Sequence, residues 1–438
     1  MSFRSIYLLV AGAVLAAGPL LAAGTHLSLD DAIAEALAAG PGLQALGSTA
    51  EADRREAKAA SRRRWGTLDG VASYTYFSDD VIVRPISSQL LAGGFASLPF
   101  DDQQLHWGVV AEVPLYLGGK LSNGVKIAKL SAEKSTALLK GTRWQVRFNV
   151  ISLYSAAQGL DAVDQALERQ VSALQTTNSH LELMVSEGKR PDVDRLKVVE
   201  ELEGARANRA AVRANRLKAA TLLLALMGRY PTGHIVVDPL PQTLPGLTET
   251  PTDLRASLDQ VSTVRQARLT LEQAESGVRL ATSEFIPKVV ARGNFLVNDG
   301  QSLDRTYNTW ALSLGVVVPL IHGGARSEHR AAAKERRQAA EHALVKAQLD
   351  TAAHLEDALA EFEAAHTAVE AAEARVAAGA EAARIEQIRY DTGAGTIEDL
   401  LRARAREEGA RSALALARAQ ALTSGARINS IVEKEAVL

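Results

Sequence analysis

The sequence predicts an α+β membrane protein built by internal tandem duplication. Three observations carry this reading. Four short runs alternate apolar and polar residues over about 9–11 positions, the length a bilayer-crossing strand needs. Two proline-free stretches, 115–190 and 320–438, leave room for very long helices. The two halves of the chain repeat the same motifs at an offset of 205 residues.

Composition narrows the alternatives. The 438 residues carry 49 Lys and Arg against 51 Asp and Glu, a net charge of −2 that offers no bulk attraction to nucleic acid. Charged residues make up 23% of the chain, too many and too evenly spread for a polytopic helical membrane protein. The absence of Cys excludes disulfides, Cys-ligated zinc, iron–sulfur clusters, a Cys nucleophile and a lipidated N-terminal Cys.

The chain opens with Arg4, an uncharged apolar run from Ile6 to Leu21, and the small residues Ala22-Ala23-Gly24. That pattern reads as a secretory signal peptide over 1–23. No later apolar run is long enough for a transmembrane helix.

The duplication then sets the order of elements. Val113-Pro-Leu-Tyr-Leu-Gly-Gly-Lys120 recurs as Val318-Pro-Leu-Ile-His-Gly-Gly-Ala325, and Gly188–Asp194 recurs as Gly393–Asp399. The first repeat spans 24–230 and the second 252–438, joined by a linker over 231–251 that holds five prolines. Each repeat starts with an amphipathic helix, 43–64 and then 261–284. A strand pair follows, 71–78 with 107–117 and then 289–297 with 310–320. A long helix comes next, 122–187 and 325–391, then a Gly turn and a second helix, 194–227 and 399–430. A helix of 66 residues runs about 100 Å, too long for one compact domain. The shorter helices of each repeat, stacked end to end, nearly match it. The four-three spacing of Leu121, Val125, Ala128 and Ala132 is a coiled-coil seam, and its small residues let backbones approach closely.

The strand faces are amphipathic. Trp310, Leu312, Leu314, Val316, Val318 and Leu320 share one face; Ala311, Ser313, Gly315 and Val317 share the other. Twelve of the 20 aromatic residues fall in 65–120 and 285–320, where interfacial belts would place them. Residues 79–106 form a longer loop than 298–309, and residues 79–105 are expected to face the cell exterior. Four strands cannot close a barrel, and open edges in lipid leave backbone groups unpaired. Other copies of the chain must therefore complete it. Three copies give 12 strands, a number that the arithmetic alone does not fix.

At this point the chain resembles the TolC-like outer-membrane efflux proteins over essentially its whole mature length. The Val-Pro-Leu-x-x-Gly-Gly junctions and Tyr390-Asp-Thr-Gly-Ala-Gly-Thr-Ile-Glu-Asp-Leu-Leu401 carry the resemblance. It implies a homotrimer: a 12-stranded β-barrel in the outer membrane, continued by a long α-helical barrel across the periplasm. The resemblance further implies a passive duct of a tripartite efflux or type I secretion system. A periplasmic adaptor protein, an inner-membrane transporter and outer-membrane lipid would be its partners, with the transporter selecting the substrate. The location would be the outer membrane of a Gram-negative-type cell, without lipidation.

The resemblance also implies a periplasmic gate near the helical tips. Asp399 matches an acidic residue that rings the aperture, and Asp194 and Tyr390 match residues that link neighbouring helices. Gly395 stands where the family has an Arg link and Arg402 where it has a second acidic ring, so Arg402 is expected to compensate Asp399. Gly188, Lys189, Arg190, Gly393, Ala394 and Gly395 form the tips expected to meet the adaptor. Gly188 and Gly393 also suit plain left-handed helix caps. Asp194 and Asp399 equally suit dipole-favoured first-turn positions.

No GxSxG, HExxH, P-loop or GxGxxG motif occurs, so the chain is expected to be no enzyme and to need no cofactor. His322, His329, His342, His354 and His366 lack tight ligand spacing, and no metal is expected. The alternative reading is a periplasmic adaptor-like helical protein without a pore. An adaptor normally needs one helical hairpin flanked by β-rich domains; here each of two hairpins follows a strand pair.

Overall fold

Two helices of equal length dominate the computed structural model, which describes residues 25–94, 98–231, 235–304, 306–321 and 323–437. The expected signal peptide, 1–23, and His322 lie outside these residues. The order is β1 (Thr25–Leu27), α1 (Leu29–Ala39), α2 (Pro41–Arg62), β2 (Thr67–Ile82), α3 (Ser88–Leu91), β3 (Phe100–Tyr116), α4 (Lys120–Ser186) and α5 (Asp192–Leu226). The second half follows as β4 (Ile235–Val237), α6 (Pro251–Ser257), α7 (Ser262–Thr282), β5 (Lys288–Gly300), β6 (Tyr307–Val317), α8 (Ala325–Asp391) and α9 (Ile397–Val432).

Helices α4 and α8 each hold 67 residues, about 100 Å. Helices α2 and α5 hold 22 and 35 residues, and α7 and α9 hold 21 and 36, so each stacked pair totals 57. Helix α4 packs against α2, α5, α7 and α9, and α8 packs against α7 and α9. The helices therefore form one wall in the order α2/α5, α4, α7/α9, α8. Small residues set its spacing. A Cβ on Gly159 of α4 would lie 3.0 Å from the Ala419 Cβ and 3.5 Å from the Ala415 carbonyl on α9. No described helix is long and apolar enough to cross a membrane.

The strands form one antiparallel sheet in the order β2-β3-β5-β6, so the two repeats pair through β3 and β5. Registers such as His106↔Asn298 and Phe295↔Trp310 sort the faces. Leu105, Trp107, Val109, Phe295, Trp310, Leu312 and Leu314 point to one side and are exposed. Gln104, His106, Glu112, Arg292, Asn294 and Asn298 lie on the other. There Arg292 pairs with Glu112 at 2.8 Å, and the His106 Nδ1 meets the Asn298 Oδ1 at 2.8 Å. The outer edges of β2 and β6 have no strand beside them among the described residues.

Several boundaries differ from the sequence reading. Strand β2 runs past the expected 71–78 at both ends and β3 starts before the expected 107, so both ends of the expected 79–106 loop are strand. Asp79, Asp80, Asp101 and Asp102 disfavour strands by composition. Tertiary partners overrule that preference. The buried Asp101 carboxylate accepts the Gln103 N–H at 2.7 Å and the Ser302 N–H at 2.6 Å. Strand β6 ends at Val317, short of the expected residue 320, because Pro319 cannot extend a ladder. The expected linker 231–251 contains β4, which pairs in parallel with β1.

Around the middle of the helical wall, β1, α1, β4, α6 and the C-terminal residues 433–437 make a belt on one face. Its first half centres on Tyr154 of α4, packed with Leu27, Ile33, Val150, Leu223 and Met227. The Tyr154 hydroxyl lies 2.8 Å from the Leu27 carbonyl and 2.9 Å from the Asp238 Oδ2, and accepts the Asp238 N–H at 2.9 Å. Burial pushes its pKa up to about 12. The second half packs Leu254, Val264, Leu355, Phe362, Ile428 and Val437.

Candidate functional site

Both long helices end at the same kind of turn, far from the sheet. Gly188 and Gly393 have φ of +71° and +78°, the left-handed region open to glycine. At the first tip the Lys189 N–H donates to the Met184 carbonyl at 2.9 Å; at the second the Ala394 N–H donates to the Arg389 carbonyl at 2.8 Å. The Gly395 N–H shares that carbonyl at 2.9 Å, and a Cβ on Gly395 would sit 3.1 Å from the Arg389 Cβ.

The two return helices start differently. Helix α5 begins after Pro191 without a side-chain cap. Helix α9 begins with a reciprocal cap at Thr396. The Thr396 hydroxyl donates to the Asp399 Oδ2 at 2.7 Å, and the Asp399 N–H donates to the Thr396 Oγ1 at 3.1 Å. The Thr396 hydrogen bond is the first cause holding the Asp399 carboxyl below the usual Asp range; Arg402 and Arg389 add to it.

Arg402 has a nearer partner than Asp399. Its guanidinium lies 2.8 Å from Glu398 and 3.9 Å from Asp399. Glu398 also accepts from Lys197 of α5 at 3.1 Å, tying the two hairpins together. A second tie joins them on the other side. The Arg190 guanidinium lies over the Tyr390 ring, 5.1 Å from its centre, and 4.0 Å from Asp194. Burial raises the Tyr390 hydroxyl pKa, partly offset by Arg190. Beneath these links, Leu181, Val198, Leu202, Ile397 and Leu400 form one buried cluster shared by both hairpins. The structure thus brings Asp194, Arg190 and Tyr390 together, and Asp399 with Arg402. Among the described residues, Lys189 pairs within its own tip, with Glu187 at 2.6 Å. The sequence reading missed Thr396, Glu398 and Lys197. The Thr-x-x-Asp spacing at 396–399 was the available signal for the cap.

Above the tips, a cavity of about 270 Å³ separates α4 from α9, lined by Arg169, Gln170, Leu174, Glu201, Arg404 and Glu408, among others. The Glu408 Oε2 is buried without a hydrogen-bond partner, and Arg411 binds Glu408 at 2.8 Å and Glu407 at 2.5 Å. Burial, aided by Glu407, raises the Glu408 pKa against the pull of Arg411 and Arg169. A raised carboxyl pKa means that the folded chain holds this proton more tightly than the unfolded chain. The ionised form therefore costs stability above the folded pKa, and the cost fades as pH falls toward the ordinary value of 4.5. Glu408→Gln is expected to raise the thermal midpoint by a few degrees at pH 8. The gain should shrink as pH approaches 4.5; an equal effect at every pH would exclude ionisation as its cause.

No group of three or more described His, Asp or Glu side chains could hold a metal ion. The profile of a family described as outer membrane efflux protein matches residues 32–229 and 254–432. No curated protein sequence matches. Among solved structures, the Campylobacter jejuni CmeC outer membrane channel is similar at a TM-score of 0.80 and 16% identity, covering 93% of this chain and 86% of that one. The open state of the Neisseria gonorrhoeae MtrE outer membrane channel gives 0.78 and 20%, with 93% and 89% covered. The outer membrane protein VceC of Vibrio cholerae gives 0.77 and 18%, with 93% and 96% covered. At these identities the likeness to solved structures is one of fold.

Proposed function

Because this chain belongs to the outer membrane efflux protein family, we propose that three copies close into one continuous passive duct. Its 12-stranded barrel would sit in the outer membrane and its helical barrel would cross the periplasm. A periplasmic adaptor would grip the tips at Gly188–Arg190 and Gly393–Gly395, and an inner-membrane transporter would supply the energy.

One observation carries the closure by copies. Within the chain, Gly159 of α4 is covered by Ala415, Leu416 and Ala419 of α9. An offset of 205 turns these positions into Ala364 of α8 and Ala210, Ala211 and Ala214 of α5, all small and all exposed. The duplicated seam is filled once and bare once. The bare halves lie at opposite ends of the wall, as do the open edges of β2 and β6. An even number of alternating strands also makes β6 antiparallel to the next copy's β2. A head-to-tail ring satisfies all of these faces.

The gate reading extends from the tips. In the ring, the Asp399 and Arg402 side chains would face the bore, held by Glu398 and Thr396, while Arg190 would clamp Tyr390 to Asp194. Exposed pairs of this kind are worth about 0.2–1 kcal/mol each, and a substitution removes one per copy, so across three copies it shifts a closed-to-open equilibrium by about 3- to 160-fold. Arg402→Ala and Asp399→Ala are each expected to raise single-channel conductance of the purified protein in planar bilayers. The double change should differ from the sum of the singles, as coupled charges do. Unchanged conductance in all three variants would move the constriction away from these residues. Failure of the wild-type protein to conduct at all would reject the duct.

A further inference from the structure

Cations concentrate where the helical wall meets the sheet. Residues 54–65, 120–134, 275–288 and 325–337 hold 17 Lys and Arg against 6 Asp and Glu, a net +11 in a chain whose total is −2. Part of this charge lines an open groove of about 640 Å³ along α4, between α2 and α7. Arg54, Lys58 and Lys129 of these segments line it, together with Lys140 and Arg265 outside them, with Glu133 as its one carboxylate. Arg54 reaches Glu51 at 3.7 Å and Lys140 reaches Glu433 at 2.9 Å. Among the described residues, Lys58, Lys129 and Arg265 form no ion pair.

The groove opens on the face that carries the belt. Gln260 and Ser262, beside the belt, close its lower end, and Lys140 holds Glu433 of the C-terminal segment. In a ring of twelve helices about 10 Å apart, the clear bore is roughly 28 Å. Three belts would fill that bore, so the belt and the groove beside it face outward. Upward, α2 climbs about 10 Å from Lys58 to Trp65 at 1.5 Å per residue. On the way it presents Arg62, Arg63 and Arg64, all exposed. The Arg64 guanidinium lies 5.5 Å from the centre of the Trp65 ring, which is 74% exposed just before the sheet begins. Phe285 is exposed where α7 reaches the same junction. Aromatic residues with adjacent cations mark the boundary between hydrocarbon and headgroups.

We propose that this collar binds anionic phospholipid headgroups of the periplasmic leaflet. Lys58, Arg62, Arg63 and Arg64, with Lys126, which is exposed near the start of α4, supply the contacts, and Arg54 and Lys129 extend the field down the groove. The charge is largely uncompensated and lies within about one Debye length of the junction, where a cationic segment attracts an anionic leaflet. The inference rests on the duct reading, since only a barrel in the bilayer brings the collar to the headgroups.

The test uses the full chain in vesicles of phosphatidylglycerol and phosphatidylcholine, with spin-labelled lipids reporting the relative association of each. The wild type is expected to prefer phosphatidylglycerol by at least about threefold at low salt, falling toward equality at 0.5 M NaCl. The variant Lys58→Gln/Arg62→Gln/Arg63→Gln/Arg64→Gln/Lys126→Gln should lose the preference yet still conduct in planar bilayers. Inorganic phosphate should displace no more lipid than chloride of equal ionic strength; greater displacement would mark a free-phosphate site instead. A wild type without preference, or a variant that keeps it, overturns the proposal. A variant that alters anion-over-cation permeability while keeping its lipid preference places these cations in the bore, which also overturns it. Loss of conductance by the wild type in every lipid would instead reject the duct.

Discussion

Leu312→Arg is expected to abolish assembly, whereas Ala311→Arg, one residue earlier on the same strand, leaves it intact. Leu312 sits at the middle of β6 and is 79% exposed. Its face also carries Trp310, Leu314 and Val316, each more than half exposed. Ala311 pairs with Asn294, on the face that holds the Arg292–Glu112 pair. If the apolar face meets lipid, Arg at mid-depth costs about 2–4 kcal/mol, and the proposed ring would repeat it in every copy. On the polar face the same side chain meets water. The expected readout is loss of the SDS-resistant oligomer from the membrane fraction for Leu312→Arg alone. Equal behaviour of the two variants would mean that no bilayer contacts this sheet.

The second large effect separates two glycines at matching places in the repeats. Gly118 and Gly323 lead into α4 and α8 with φ of +63° and +57°. Any side chain there meets left-handed strain of about 1–2 kcal/mol. The surroundings differ. A Cβ at Gly118 would lie 2.6 Å from the Ile286 Cβ and 3.0 Å from the Ser283 carbonyl, whereas one at Gly323 meets nothing within 4 Å. Within one copy Gly323→Ala should therefore cost little beyond the strain; in the proposed ring the start of the next copy's β2 would approach Gly323 as β5 approaches Gly118, and the cost should rise on assembly. Gly118→Ala must push β5 away from the start of α4 and is expected to prevent stable assembly. The thermal midpoint of the purified oligomer checks both; a loss for Gly323→Ala as large as for Gly118→Ala would mean that the next copy crowds it, whereas small and equal losses would show that strain alone governs these bends.

The contrast between these glycines also shows what a sequence can and cannot convey. The left-handed bends are legible, because paired glycines at a strand-to-helix junction have few other uses. The crowding of one and not the other depends on Ile286, a residue of the other repeat. The long helices are legible through missing prolines and small-residue seams. Helix α1 escaped notice although Ser28 accepts the Asp31 N–H at 3.1 Å, a cap of readable spacing. The outer ends of β2 and β3 escaped because their aspartates oppose strand propensity, and at Asp101 of β3 that preference is offset by Ser302, some 200 positions away. At the tips, the turns follow from Gly188 and Gly393. The Lys197–Glu398 link and the Arg190–Tyr390 stack join residues about 200 apart in sequence, and nothing local announces either.

The equal lengths of α4 and α8 have a consequence for how such a chain can change. Both helices start beside one sheet and finish at matching turns, so the two tips of every copy end at one depth. Adding a single residue to one helix alone would lower its tip by about 1.5 Å and swing every residue beyond it through about 100°. The seam of small residues would then face away from its partner. Length in this wall is therefore a shared coordinate of four helices. Tolerated insertions should come in sevens, which preserve the seam, and should appear in both repeats and in both strokes of each hairpin. A chain engineered with seven residues added to α4, α5, α8 and α9 at one level would reach about 10 Å farther and keep its rim flat.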